Sequence, residues 1–184
     1  MRRTMRWWLL LAWLVGGMVS LPAQQKSRDP LTDAEVDQMR ESADFPNKRI
    51  ELLIKFAKER MFEIESLHSE PASAANLKQI HDLLQDFIFI LDETDDNIDM
   101  YGKHNTDMRK GLKLLIEADS EWQLKLRQIK EKSQPDDLRQ YSFVLINAVD
   151  TVSDSAKNAR ETLQEQNKLA AEKKLNKDYA ERKD

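Results

Sequence analysis

The sequence predicts an all-α chain: an antiparallel, up-and-down four-helix bundle with a short additional N-terminal helix, following a signal peptide. Three observations carry that expectation. Apolar residues recur every three or four positions through most of residues 32–169, the spacing of one face of a helix. Four glycines and five prolines are all that punctuate 184 residues, too few for a turn-dense sandwich or a Gly-rich phosphate loop. No segment alternates apolar and polar residues with the period of two that a half-buried strand needs.

The first 23 residues stand apart. Arg2, Arg3 and Arg6 precede an uncharged apolar run from Trp7 to Val19, and Leu21-Pro22-Ala23 then supplies a helix breaker and a small residue. That order is the pattern of a cleavable secretory signal, with the cut expected after Ala23. The run of 13 residues would span only about 20 Å as a helix, against the roughly 30 Å of a bilayer core, which favours cleavage over anchoring. The expected destination is the periplasm or the medium. Since this segment carries three arginines and no acid, its loss takes the chain from −4 to −7. An acidic chain of this kind lacks the basic patch of a nucleic-acid binder. With no cysteine, disulfides, thiolate zinc sites and Cys nucleophiles are excluded.

The expected organisation is a signal peptide over 1–23, a polar linker over 24–31, a helical domain over 32–169 and a charged tail over 170–184. Thr32 and Glu35 form a capping box, with Leu31 and Val36 as its hydrophobic staple, so a short helix starts at Thr32. Phe45-Pro46 ends it, and Pro46 suits the first turn of a helix running to about 67. Ile50, Leu53, Ile54, Ala57, Met61 and Ile64 make its apolar face, and Pro71 ends it. The next helix is expected from about 73 to 101, with Leu77, Ile80, Leu84, Phe87, Leu91 and Ile98 inward and Gly102 as a left-handed cap.

A further helix is expected from about 106 to 132, on Met108, Leu112, Leu115, Trp122, Leu126 and Ile129. The last follows Pro135 on Leu138, Tyr141, Leu145, Ala148, Val152, Ala159 and Leu163, giving way after about 169 to Lys- and Glu-rich sequence expected to fray. The four long helices reach about 33–50 Å each, and short links between them favour antiparallel neighbours. An extended helical hairpin array, or a homodimer that completes the bundle between chains, is the other architecture these lengths admit.

Few residues point to chemistry. Asp92, Asp95, Asp96 and Asp99 recur on one side of a helix near its C-terminal end, where the helix dipole disfavours negative charge. Oxygen ligands at such spacing suit a hard cation, which makes these four the candidate metal ligands. The segment lacks the glycine and spacing of a helix-loop-helix calcium site, so a solvated acidic face is the simpler expectation. Asp119 interrupts the seam between Leu115 and Trp122. Either it reaches the bundle edge, the expected outcome, or it joins Asp95 or an arginine in a polar core layer.

His68, His81 and His104 form no metal pair, and no haem attachment motif is present. No nucleophile elbow, Walker loop or other catalytic motif occurs, so no cofactor and no enzymatic activity are expected. Phe56, Phe62 and Phe89 fall off the main apolar faces and are expected either to meet a partner or to fill a second buried interface. The resulting expectation is an exported, non-enzymatic interaction or structural module of the cell envelope. Its expected partner is a protein of unknown identity, not nucleic acid, and it would touch membrane only through residues 1–23 if they were retained. The alternative is a cation-binding bundle that uses the acidic cluster at 92–99.

Overall fold

A computed structural model describes residues 29–182; the expected signal peptide and most of the linker lie outside the described residues. Five helices follow one another with short links: α1 (Asp33–Glu41), α2 (Pro46–Ser69), α3 (Ala74–Lys103), α4 (Arg109–Lys132) and α5 (Pro135–Glu181). They form a helical bundle, with no strand among the described residues.

The capping box on α1 forms as read. Thr32 Oγ1 accepts the Glu35 N–H at 3.3 Å, and the Thr32 N–H donates to Glu35 Oε2 at 2.7 Å. Glu35 is also buried, and it anchors α1 to α2. Arg60 donates through Nη1 to Glu35 Oε1 at 2.9 Å and through Nη2 to Oε2 at 2.7 Å, while Nη2 also reaches the Pro30 carbonyl. The fork geometry of arginine matches a carboxylate bidentately, which suits it to a pair withdrawn from water.

The core is continuous across α2 to α5, with Trp122, Tyr141, Phe56 and Phe87 its largest fully buried side chains. Phe56 corrects the expectation that it lies off the main apolar face. Because α2 packs on both α3 and α4, its buried arc is wider than a single stripe and takes in Leu53, Phe56, Ala57 and Arg60. Phe62 and Phe89 remain exposed.

The helices adjoin in the cyclic order α2, α3, α5, α4. Lys110 pairs with Glu51 at 2.7 Å and Lys125 with Glu65 at 2.8 Å, so α2 and α4 run side by side in the same direction. Asn158 meets Asp95 at one level, and Thr162 shares a cleft with Ile98 at the next, so α3 and α5 are likewise co-directional. The short link from α3 to α4 therefore crosses the bundle diagonally instead of joining neighbours. Across that diagonal the side chains still meet, Phe87 and Trp122 packing edge to face at 5.3 Å between ring centroids.

Two amides clamp the crossing. Gln166 on α5 donates to the Thr106 carbonyl at 2.8 Å and accepts the Met108 N–H at 2.9 Å. Asn47 on α2 donates to the Asp107 carbonyl and accepts the Gly111 N–H, both at 2.8 Å. The turn itself is a Schellman motif whose left-handed residue is Asn105, at φ 53°, not Gly102. The Asn105 N–H donates to the Gly102 carbonyl at 2.9 Å and the Thr106 N–H to the Tyr101 carbonyl at 3.2 Å. Gly102 is helical, α3 extends to Lys103, and α4 starts at Arg109, three residues later than expected. Beyond this crossing end α5 does not stop near 169. It runs 47 residues to Glu181, about 70 Å, with the side chains of 171–178 all exposed.

Candidate functional site

α4 and α5 pack side by side, and Ser155, Ala156 and Ala159 on α5 are buried, as is Ala118 on α4. Asp119 stands next to Ala118 and is fully buried. This overturns the expectation that it reaches the bundle edge. With one methylene between backbone and carboxyl, aspartate lacks the stem that lets lysine or arginine climb out of such a seam. Of the other arrangement read from the sequence, the structure shows that Asp95 on α3 lies near enough for its charge to act on Asp119.

Ser155 Oγ faces Asp119 Oδ2 at 3.5 Å, and Asp119 Oδ1 is buried without a hydrogen-bond partner. From α3, half-buried Asp95 faces α5 and accepts from Asn158 Nδ2 at 3.3 Å. Burial pushes Asp119 up to about 8, with the negative charge of Asp95 adding to it and Arg160 opposing. Burial also raises Asp95 to about 6, reinforced by Asp92, Asp99 and Asp154 and opposed by Asn158. The bundle thus holds two coupled acids poised on either side of neutral pH.

The four candidate metal ligands divide. Asp95 turns inward, while Asp92, Asp96 and Asp99 are exposed along α3. Partial burial and the nearby Asp96 raise Asp92 above the usual carboxylate range. Among the described residues no three His, Asp or Glu side chains gather around a point that would hold a metal ion. Asp99 contributes instead to a cleft of about 480 Å³ at the crossing end, which is also lined by Lys103, Asp107, Arg109, Glu165 and Lys173. There Asp107 is held down to about 2, chiefly by hydrogen bonds from Arg109, whose Nη2 lies 2.6 Å from Oδ2.

The histidines are placed separately. His104 is exposed in the turn after α3, and His81 Nδ1 lies 3.3 Å from Asp82 Oδ1. At the opposite end from the crossing, His68 Nε2 lies 3.0 Å from Ser133 Oγ, which is 2.7 Å from the Tyr141 hydroxyl. The Ser133 hydroxyl also donates to the Ile129 carbonyl at 2.6 Å, a helix back-bond that competes for its single proton. The cluster fastens the end of α4 to α2 and α5.

Ser155 and Asn158 were missed in reading the sequence, yet they left a signal. Both interrupt the small and apolar run Ala148, Val152, Ala156, Ala159 on α5, as Asp119 interrupts the seam of α4. Polar residues in two seams that must face each other are candidates for one layer. Comparison with protein-family models, with curated proteins and with solved structures finds no match to this chain.

Proposed function

We propose that the chain is an exported, non-enzymatic interaction module of the cell envelope, built on an up-and-down four-helix bundle and acting by binding another protein. The observation that supports this reading is an apolar pair on the outer face of α5. Phe143 is 77% exposed and Ile146, one turn on, is 49% exposed, although Tyr141, Val144 and Leu145 beside them are buried in a filled core. Exposed aromatic and aliphatic side chains of this kind can anchor a partner interface, and Ile146 also borders a groove with Gln123, Arg127 and Lys130 of α4.

Crosslinking and recovery of the protein from its native envelope or medium tests this, with N-terminal sequencing to locate the expected cut after Ala23. An enriched partner lost on Phe143→Ser with Ile146→Ser, while helicity and melting stay unchanged, supports the reading. Recovery that is indifferent to both substitutions refutes the surface. A second reading, a cation-responsive bundle, draws on the crowding of Asp92, Asp95, Asp96 and Asp99 along α3, where partial burial and then the nearby charge of Asp96 raise Asp92 above its usual range. It predicts binding heat and a melting shift with calcium, magnesium or zinc, and fails if neither occurs at millimolar metal.

A further inference from the structure

A groove of about 730 Å³ opens on the outside of the bundle between α2 and α4, which lie side by side and run the same way. Buried Ile54 and Ala118 line its floor, and two apolar side chains stand at its sides, Phe62 71% exposed and Leu114 37% exposed. An exposed ring beside an apolar groove with a charged rim marks a contact surface. The charges of that rim are ordered. Along α2, exposed Lys55 and Lys58 precede exposed Glu59 and Glu63; along α4, exposed Lys110 and Lys113 precede exposed Glu117 and Glu121. Because the helices are co-directional, the lysines gather toward the crossing end and the glutamates toward the other. Ion pairs within the chain reduce this separation without removing it. Glu51 takes Lys110 at 2.7 Å, Lys55 lies 3.7 Å from Glu59, and Lys125 reaches Glu65 at 2.8 Å and Glu121 at 3.0 Å. With these partners included, lysine still dominates the first half and glutamate the second.

We propose that this groove is where two copies of the chain associate about a two-fold axis, α2 of one copy lying antiparallel against α2 of the other. A contact of that symmetry needs a self-complementary patch, and the same charge order on two co-directional helices supplies one. The axis sets the lysine half of each copy on the glutamate half of the other. A parallel alignment would set like charge on like charge, and a partner of one dominant charge would be repelled by one half or the other. The apolar residues obey the same symmetry. Glu51 is level with Lys110 and Glu65 with Lys125, so Leu114 stands close to the level of Ile54, about two turns from Phe62. An axis midway, near Lys58, carries each Phe62 into the other copy's groove beside Ile54 and Leu114. The surface is distinct from the one around Phe143 and Ile146, whose neighbouring groove shares no residue with it.

Sedimentation equilibrium on the full chain tests this. The expected result is twice the 21.5 kDa mass of one chain, with dissociation on dilution and in high salt, which screens the rim charges. Phe62→Ser is expected to weaken association at least about tenfold, with helicity unchanged because the ring is largely in water. Lys55→Glu with Lys58→Glu makes the outer face of α2 acidic, and Glu59→Lys with Glu63→Lys makes it basic. Each double variant is expected to be monomeric alone, and an equimolar mixture of the two is expected to form a mixed dimer. If a double variant loses helicity, Phe62→Ser and the salt dependence of the unsubstituted chain decide. A chain that stays monomeric at every concentration overturns the proposal. So does a dimer indifferent to Phe62→Ser and to salt, or a mixture of two folded charge variants that remains monomeric.

Discussion

A methyl group on Gly111 has no room. A Cβ built there lies 3.0 Å from Ile50 Cβ and 3.1 Å from both Ile50 Cγ2 and Cδ1. Ile50 is β-branched and fully buried, so it has no alternative rotamer to retreat into. Alanine would otherwise improve a helix interior by about 1 kcal/mol over glycine, but overpacking a core contact costs about 1–3 kcal/mol. Gly111→Ala is therefore expected to destabilise the protein, with part of the loss recovered by Ile50→Val in the same chain. Urea denaturation checks this, and a midpoint equal to or above that of the parent would show that the helices give way freely. At this scale the sequence was informative about which positions are buried and poor about polar partners. The stripes on α2, α3 and α4 could be read directly, and Asp119 was visible as an interruption. Whether it escaped or stayed depended on how α5 packs over α4, which is encoded in no single segment.

Gly102 separates a local reading from the helix that forms. A glycine after an apolar stripe suggests a left-handed cap, and in that conformation alanine would cost about 1–2 kcal/mol. Gly102 is instead helical, with nothing within 4 Å of the Cβ it lacks, and Asn105 takes the left-handed position. Gly102→Ala is consequently expected to raise stability by about 0.5–1 kcal/mol, by restricting the unfolded chain and removing helix-interior glycine. A loss of stability on thermal or urea melting would place the cap back at 102. Starts were more legible than ends. Thr32, Ser73 and the Pro46 and Pro135 breaks announce the N-termini of four helices through side-chain chemistry. The start of α4 has no side-chain cap, since Met108 occupies that position, and Asn47 and Gln166 supply the bonds from other helices. The end of α5 was placed too early because exposure was taken to mean fraying. Its Ala-, Leu-, Glu- and Lys-rich sequence favours helix without burial.

The order of helices around the bundle was the least legible property. A link of five residues reaches about 17 Å, while helices about 10 Å apart at the corners of a square have a diagonal of about 14 Å. Link length alone therefore cannot choose between a neighbour and the diagonal; the clamps from Asn47 and Gln166 hold the choice made here. The same arrangement brings Asp95 near enough for its charge to act on Asp119 and contributes to the pH response of the molecule. Glu35 loses water on burial, which alone would raise its pKa, but hydrogen bonds from Arg60 and Thr32 outweigh that and hold it below the ordinary value of 4.5. Its contribution is present above the unfolded value and is lost as the pH falls through the lower folded one. Asp95 and Asp119 have the opposite sign. Their contributions are fully present below the ordinary value of 3.8 and are lost as the pH rises through about 6 and about 8. Each proton involved changes stability by at most about 1.4 kcal/mol per pH unit. The acid and alkaline limbs meet near the ordinary carboxylate values, so melting temperature is expected to peak at about pH 4, below the usual range for a folded domain. Melting curves from pH 3 to 9 check this. Replacing Glu35 with Leu and Arg60 with Met together should reduce the acid limb and leave the alkaline one, at a cost in overall stability because buried Asp86, 4.0 Å from Arg60, loses that cation. A maximum at or above pH 8 would mean that the inward acids are ionised and stabilised in place, and the two limbs would then have no common origin in the packing described.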